Sequence, residues 1–211
     1  RDDPAEPTTT GQETPEAGAE QVARGFVEAY GAFDADRVET YLSDDAGFVG
    51  LSEVLPRTPD ERRLAISMLE AVGYKQSVVR CLELDSSAAG TRIRCTFDFH
   101  ALRSDEIAQV RTEPGGNVLV GVGPYSGSYF DLTVRDGKIV QAGLHLATEE
   151  FWPQMWEPFE TWVTHGHPED VAVMYEQREG DRAGEAQLLA RAWWRLSEES
   201  IRLWGQHTRE F

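Results

Sequence analysis

The strongest constraint on this chain is the dipeptide Asp136-Gly137, which sits between two runs of alternating apolar residues, 129–135 and 138–146. Asp-Gly favours a two-residue type I′ turn, because both central positions need φ > 0, so the runs are predicted to form a tight antiparallel hairpin. The turn sets the register, with Arg135 facing Lys138 and Val134 facing Ile139. Strict alternation then puts Phe130, Leu132, Val134, Ile139, Gln141, Gly143 and His145 on one face. Tyr129, Asp131, Thr133, Val140, Ala142 and Leu144 take the other. The first set holds the larger apolar residues and is read as the inward face. A second hairpin is expected upstream, from residues 74–84 and 91–102 around Asp85-Ser-Ser-Ala-Ala-Gly90. Centred near Ala88, it opposes Cys81 to Cys95, Val79 to Phe97 and Ser77 to Phe99, an apolar face. Its other face carries Arg80, Arg94, Thr96, Asp98 and His100, and is solvated or forms an interface. The two hairpins are expected to join in one curved antiparallel sheet.

Helical spacing flanks the strands on both sides. From Glu20, the residues Val22, Phe26, Tyr30 and Phe33 fall on one stripe. Asp34 suits the N-cap of a short second helix carrying Val38, Tyr41 and Leu42. Residues 43–57 read as a short strand and a loop. Thr58-Pro59-Asp60-Glu61 combines a cap, a proline at the first helical position and the acid of a capping box. The helix it opens would turn Ala65, Ile66, Leu69 and Val72 inward and stop at Gly73. Residues 103–106 read as a loop, Glu113-Pro-Gly-Gly-Asn117 as a turn, and 118–122 as a short strand. The nearby glycines do not follow a strand and open a helix, which argues against a phosphate-binding loop. Beyond residue 146 the pattern is helical again, interrupted by Pro153 and Pro158. A short helix from His167 and a last helix or pair over 187–207 follow, with Leu188 and Leu189 among the packing residues and Ser197 placed to cap a break.

The domain reading is therefore a flexible acidic arm or linker over 1–19, a folded domain over 20–147 and a helical extension over 148–211. The arm has no apolar side chain larger than alanine, so it cannot offset its ordering entropy by burial. Trp156, Phe159 and Trp162 are expected to dock the extension. With 211 residues and 40% apolar composition, one domain with a real core plus an appendage is affordable. A formal charge of −17 argues against nucleic acid and against anionic membrane surfaces as partners.

The stretch from Val22 to Ala46 resembles the opening helices and first-strand entry of the SnoaL-like branch of the nuclear transport factor 2-like superfamily. Val134-Arg-Asp-Gly-Lys-Ile139 resembles the last hairpin of that family. Phe151-Trp-Pro-Gln-Met-Trp-Glu-Pro-Phe159 and Glu198-Glu-Ser-Ile-Arg-Leu-Trp204 resemble actinobacterial members that add C-terminal helices. The resemblance implies an α+β cone, a curved antiparallel sheet covered by N-terminal helices, with extra helices at the C-terminus. It implies a pocket between the helices and the concave sheet, lined here by Phe26, Tyr30, Tyr41, Phe97, Phe99, Phe130, Gln141 and His145. It implies a small, largely apolar organic ligand, and a homodimer formed through the sheet face bearing Arg80, Arg94, Thr96, Asp98 and His100. Family members include cyclases, isomerases, dehydratases, epoxide hydrolases and domains without known catalysis, and the fold does not choose among them.

Three functions remain open on the residues: a binding module for a small molecule, an isomerase, dehydratase or cyclase, and a non-catalytic interaction module. The enzyme reading rests on His145 as general base and needs a carboxylate within hydrogen-bond reach of it. Asp98 and His100, two apart on one strand, become the catalytic pair only if their face is inward. A cone filled by its own side chains would favour the interaction module. Cyclases of the family often carry an acidic residue near the position of His145, which is absent here. His165 and His167 lack a third ligand at sensible spacing, so no metal and no cofactor is expected. Cys81 and Cys95 are expected to form a cross-strand disulfide, with reduced core thiols as the alternative. That bond, and an acidic start rich in Pro and Thr, point to an exported or cell-envelope protein.

Overall fold

The computed structural model describes residues 18–50, 55–106, 108–113, 116–176 and 193–211. Most of the proposed arm, together with Leu188 and Leu189, lies outside these residues. In chain order the elements begin with α1 (Ala19–Gly31), α2 (Ala35–Tyr41), β1 (Leu42–Gly50) and α3 (Pro59–Ala71). The strands β2 (Lys75–Ser87), β3 (Gly90–His100), β4 (Ala108–Glu113), β5 (Gly116–Gly121), β6 (Tyr125–Arg135) and β7 (Lys138–His145) follow. A π-helical turn (Trp152–Trp156) leads to α4 (Glu157–Gly166), α5 (Pro168–Met174), β8 (Tyr175–Glu176), β9 (Trp193–Trp194) and α6 (Glu198–Glu210).

Three helices, α2, α3 and α6, start where a side chain accepts an otherwise unpaired backbone N–H. Asp34 accepts from Arg37 N–H at 3.0 Å and Ser197 from Ser200 N–H at 3.2 Å. Thr58 accepts from Glu61 N–H at 3.4 Å while its hydroxyl donates to the Glu61 carboxylate at 2.7 Å. Gly73 ends the third helix at φ +63°, a conformation that glycine adopts without steric cost.

Both hairpins belong to one five-stranded sheet, ordered β1-β7-β6-β3-β2. It is mixed rather than wholly antiparallel, because β1 runs parallel to β7. No tight turn joins these two strands, and a long excursion between them permits parallel pairing. A separate ribbon pairs β4 with β5, adding before the turn a strand to which the sequence pattern had given no assignment. Helix α1 lies across the sheet, with Phe26 and Tyr30 fully buried against Phe130. The result is an α+β fold, a five-stranded sheet covered by α1, with extra C-terminal helices.

Within the two hairpins the register departs from strict alternation at three bulges. In the last hairpin Asp136 and Gly137 have φ of 52° and 70°, and Val134 pairs with Ile139 as expected. Thr133 then pairs with Gln141, leaving Val140 as the extra residue. One extra residue shifts the alternation by one, so every later side chain changes face. Ala142 and Leu144 are therefore buried, whereas Gln141 and His145 are exposed. The inward assignment of Gln141, Gly143 and His145 is thus corrected. In the other hairpin Cys81 does face Cys95, but a bulge at Val79 pairs Val78 with Phe97 and Gln76 with Phe99. A further bulge lies at Leu84, between Glu83 opposite Ile93 and Asp85 opposite Arg92.

The C-terminal extension meets the cone at its mouth. Phe151 is buried against Phe99 and Tyr125, with ring centroids 5.5 and 5.2 Å away. Trp156 stacks on Trp204 at 5.4 Å, and Phe159 stacks on Trp204 at 5.1 Å. Phe151 thus supplies contacts to the cone, while Trp162 packs within the extension on Phe159 and Phe211. Helix α6 packs on α3 at Gly205, where a Cβ would meet that of Ala71 at an ordinary contact distance of 3.5 Å.

Glu160 is buried within this aromatic cluster and accepts a hydrogen bond from the Trp156 indole at 2.7 Å. Burial, aided by the charge of Glu157, pushes its carboxyl up to about 7 from an ordinary 4.5. The folded state therefore holds this proton more tightly than the unfolded chain. Its contribution is complete below pH 4.5 and is lost as pH rises through about 7. Glu160→Gln is expected to remove that pH slope and to stabilise the protein by on the order of 2 kcal/mol at pH 8. Urea midpoints of both proteins from pH 4 to 8 check this, and parallel profiles would refute it.

Candidate functional site

The residues expected to line one pocket are distributed over three environments. Phe26, Tyr30, Phe97 and Phe130 fill the cone interior, each at most 1% exposed. Their rings are in contact, with Phe97 at 5.4 Å from Phe130 and Tyr30 at 5.2 Å from Phe130. Burial pushes the Tyr30 hydroxyl well above its ordinary pKa. Phe99 lies nearer the mouth, stacked on Tyr74 and closed over by Phe151. Tyr41 packs over Gly25 of α1, where a Cβ would meet its hydroxyl at 2.3 Å, and accepts a bond from Arg37 at 3.4 Å. Gln141 and His145 stand on the opposite, outer face of the sheet.

That outer face holds a groove of about 280 Å³. Val49 of β1 and Leu84 of β2 line it together with Arg92, Tyr129, Asp131 and His145. A polar ladder crosses it. Arg94 donates two hydrogen bonds to Asp131, at 2.7 and 2.6 Å, in a bidentate pair. Those bonds raise the Arg94 pKa further, so the guanidinium stays charged. The same guanidinium lies 3.9 Å above the Tyr129 ring, a cation–π contact. Tyr129 in turn stacks on the His145 imidazole, with centroids 4.8 Å apart. The cross-strand pairing of Tyr129 with His145 creates this stack directly.

The ladder is suited to binding rather than proton transfer. Among the described residues, no carboxylate hydrogen-bonds to His145, and Asp131 is committed to Arg94. A general base needs a partner to orient and stabilise its imidazolium, and His145 lacks one here. Asp98 and His100 also belong to the outer face, and both are half-buried. His100 Nδ1 lies 3.0 Å from the Ser104 hydroxyl, not against Asp98. Their face is not the inward one, so the condition for a catalytic pair there is unmet. Tyr129, Asp131 and Arg94 were not singled out as a site, although the alternation already placed Tyr129 and Asp131 together. The bulge that brings His145 beside them has no sequence signal stronger than the single Val140.

No family model matches the sequence, and no curated protein matches it. Solved structures do align with it at low identity. A nuclear transport factor 2-like protein of unknown function from Cytophaga hutchinsonii is 12% identical, covers 67% of this chain and 99% of its own, and has a TM-score of 0.39. A protein with a ketosteroid isomerase-like fold from Catenulispora acidiphila, solved with trimethylamine, is 9% identical over 64% of this chain and 91% of its own, at TM-score 0.41. An uncharacterised cystatin-fold protein from Novosphingobium aromaticivorans is 15% identical over 59% of this chain and 95% of its own, at TM-score 0.39.

Proposed function

We propose that the protein is a non-catalytic SnoaL-like binding module that takes a small, planar, largely apolar molecule in the outer groove of its sheet. The observation that carries this reading is the stacked Tyr129–His145 pair beside the solvent-facing Val49 and Leu84. Stacking surfaces flanked by aliphatic side chains suit a flat organic ligand. In the interior Phe26, Tyr30 and Phe97 pack directly on the Phe130 ring, at 5.7, 5.2 and 5.4 Å. An isomerase, dehydratase or cyclase acting through His145 would need a carboxylate beside it, and among the described residues none hydrogen-bonds to that imidazole.

Amide NMR shifts recorded against a set of aromatic and alicyclic fragments test the proposal. Shifts should cluster at residues of β6 and β7 around Tyr129 and His145. Val49→Asp and His145→Ala should each weaken binding at least about tenfold, which corresponds to about 1.4 kcal/mol. Fragments that shift Phe26 and Phe97 instead would return the ligand to the cone interior and refute the groove.

A second reading is favoured by a separate observation. Val49, Val79, Leu82 and Leu84 are 58%, 60%, 46% and 44% exposed, and all lie on the two edge strands, β1 and β2. Exposed apolar edges suit an interface, and two copies related by a two-fold axis could cover them through the sheet face that also bears Arg80, Arg94, Thr96, Asp98 and His100. Light scattering at micromolar concentration should give a dimer that Leu82→Glu with Leu84→Glu converts to a monomer. A monomeric parent protein removes this reading.

A further inference from the structure

Helices α5 and α6 bring together three groups that sequence spacing had kept apart. His167 stands at the N-terminus of α5, while His207 and Glu210 lie one turn apart on α6. Their ligand atoms lie within 4.8 Å of one another, as do those of His167, Glu169 and Asp170. Glu210 Oε2 is 3.5 Å from His207 Nδ1 and 3.9 Å from His167 Nε2. The two imidazole rings are 4.3 Å apart.

The protonation of His207 is directed by its other neighbour. Its Nε2 lies 2.8 Å from Asp170 Oδ2, so in the neutral ring the Nε2–H donates to that carboxylate. The lone pair is then on Nδ1. That nitrogen is fully buried and has no hydrogen-bond partner, although it faces a carboxylate oxygen. The buried Nδ1 thus looks toward the partly exposed Glu210 carboxylate, an arrangement that a bound cation would satisfy. A carboxylate that fixes the far nitrogen of an imidazole is also the usual outer support of a metal-bound histidine.

We propose that His167, His207 and Glu210 bind a zinc-class divalent transition metal ion, with Asp170 orienting His207. Two imidazoles and a carboxylate select zinc, cobalt or nickel over calcium and magnesium, which prefer all-oxygen shells. Metal–nitrogen bonds of about 2.0–2.1 Å put tetrahedral ligand atoms roughly 3.4 Å apart, against 3.5 and 3.9 Å from Glu210 to the two imidazoles and at most 4.8 Å among all three. The ion fastens the start of α5 to the end of α6, and Trp162 walls the site at 5.0 Å from His167 and 5.9 Å from His207. His165 is not part of it, since its Nδ1 bonds the Thr161 carbonyl at 2.8 Å.

The test uses the whole chain, stripped with a chelator and titrated with Zn²⁺ by calorimetry and with Co²⁺ by visible absorption. One equivalent of each should bind, with cobalt bands of tetrahedral intensity and a higher unfolding temperature in the presence of zinc. Asp170→Asn should weaken zinc by about 10–100-fold, and His167→Ala and Glu210→Gln should lose the stoichiometric site. His165→Ala should bind as the parent does. His167 and Glu210 are partly exposed, so these variants should fold even if His207→Ala does not, and circular dichroism verifies this. Absence of stoichiometric uptake by the parent overturns the proposal and leaves a proton as the bridging cation. Unchanged uptake by folded His167→Ala overturns it equally.

Discussion

Phe130→Ala is expected to destabilise the protein by about 3–5 kcal/mol, the range for removing a fully buried aromatic ring. Phe130 is 0% exposed and is enclosed by Phe26, Tyr30 and Phe97, with centroids at 5.7, 5.2 and 5.4 Å. The loss combines the transfer energy of the ring with the cost of the cavity left behind. Three aromatic neighbours anchored on one helix and one strand cannot all collapse into that space. The remaining cavity is apolar and should stay dry, and it should accept benzene or xenon that the parent protein excludes. Urea denaturation gives the stability change, and xenon-dependent NMR shifts report the cavity. A loss below about 1 kcal/mol would mean that the interior is loosely packed already. In that case a ligand inside the cone becomes the better functional reading than one in the outer groove.

Removing the Cys81–Cys95 bond should cost about 3 kcal/mol. The two half-cystines are bonded, 14 residues apart in sequence, and their Cα atoms are 4.0 Å apart. Closing a loop of this length restricts the unfolded chain, which on the chain-entropy account gives about 3 kcal/mol. Both residues are buried, so Cys81→Ala with Cys95→Ala also loses some packing. Comparing that double variant with the parent, oxidised and reduced, separates the contributions. Reduction alone should shift the parent by most of the difference and leave the variant unmoved. Two free thiols in the unfolded, unreduced parent would refute the bond. We propose that such a bond suits a protein working in an oxidising compartment, where it would persist.

Local chemistry was legible wherever a few adjacent residues decide the backbone. Asp136-Gly137 set its turn, Thr58, Asp34 and Ser197 capped their helices, and Gly73 closed one. The opposition of Cys81 and Cys95 followed from counting outward from the loop, because the bulges on either side happen to leave that pair in step. The same counting failed for His145. A bulge is one residue of slack in a ladder, and nothing in the alternation of Val140-Gln-Ala announces it.

The sequence by itself determined the main helices and strands, the caps and turns, the apolar stripe of α1, the pairing beside the Asp136-Gly137 turn and the opposition of Cys81 to Cys95, because these depend on contacts between residues near in the chain. Only the tertiary structure decided which residues share a site. The parity shift after Val140 moved His145 from the presumed interior to an outer groove beside Tyr129. The packing of α6 brought His207 and Glu210 to His167, across a separation that no spacing rule spans. The closure of the cone mouth by Phe151 likewise depends on where the extension docks. Each of these is a long-range contact, fixed by how whole faces bury against one another rather than by the residues on either side.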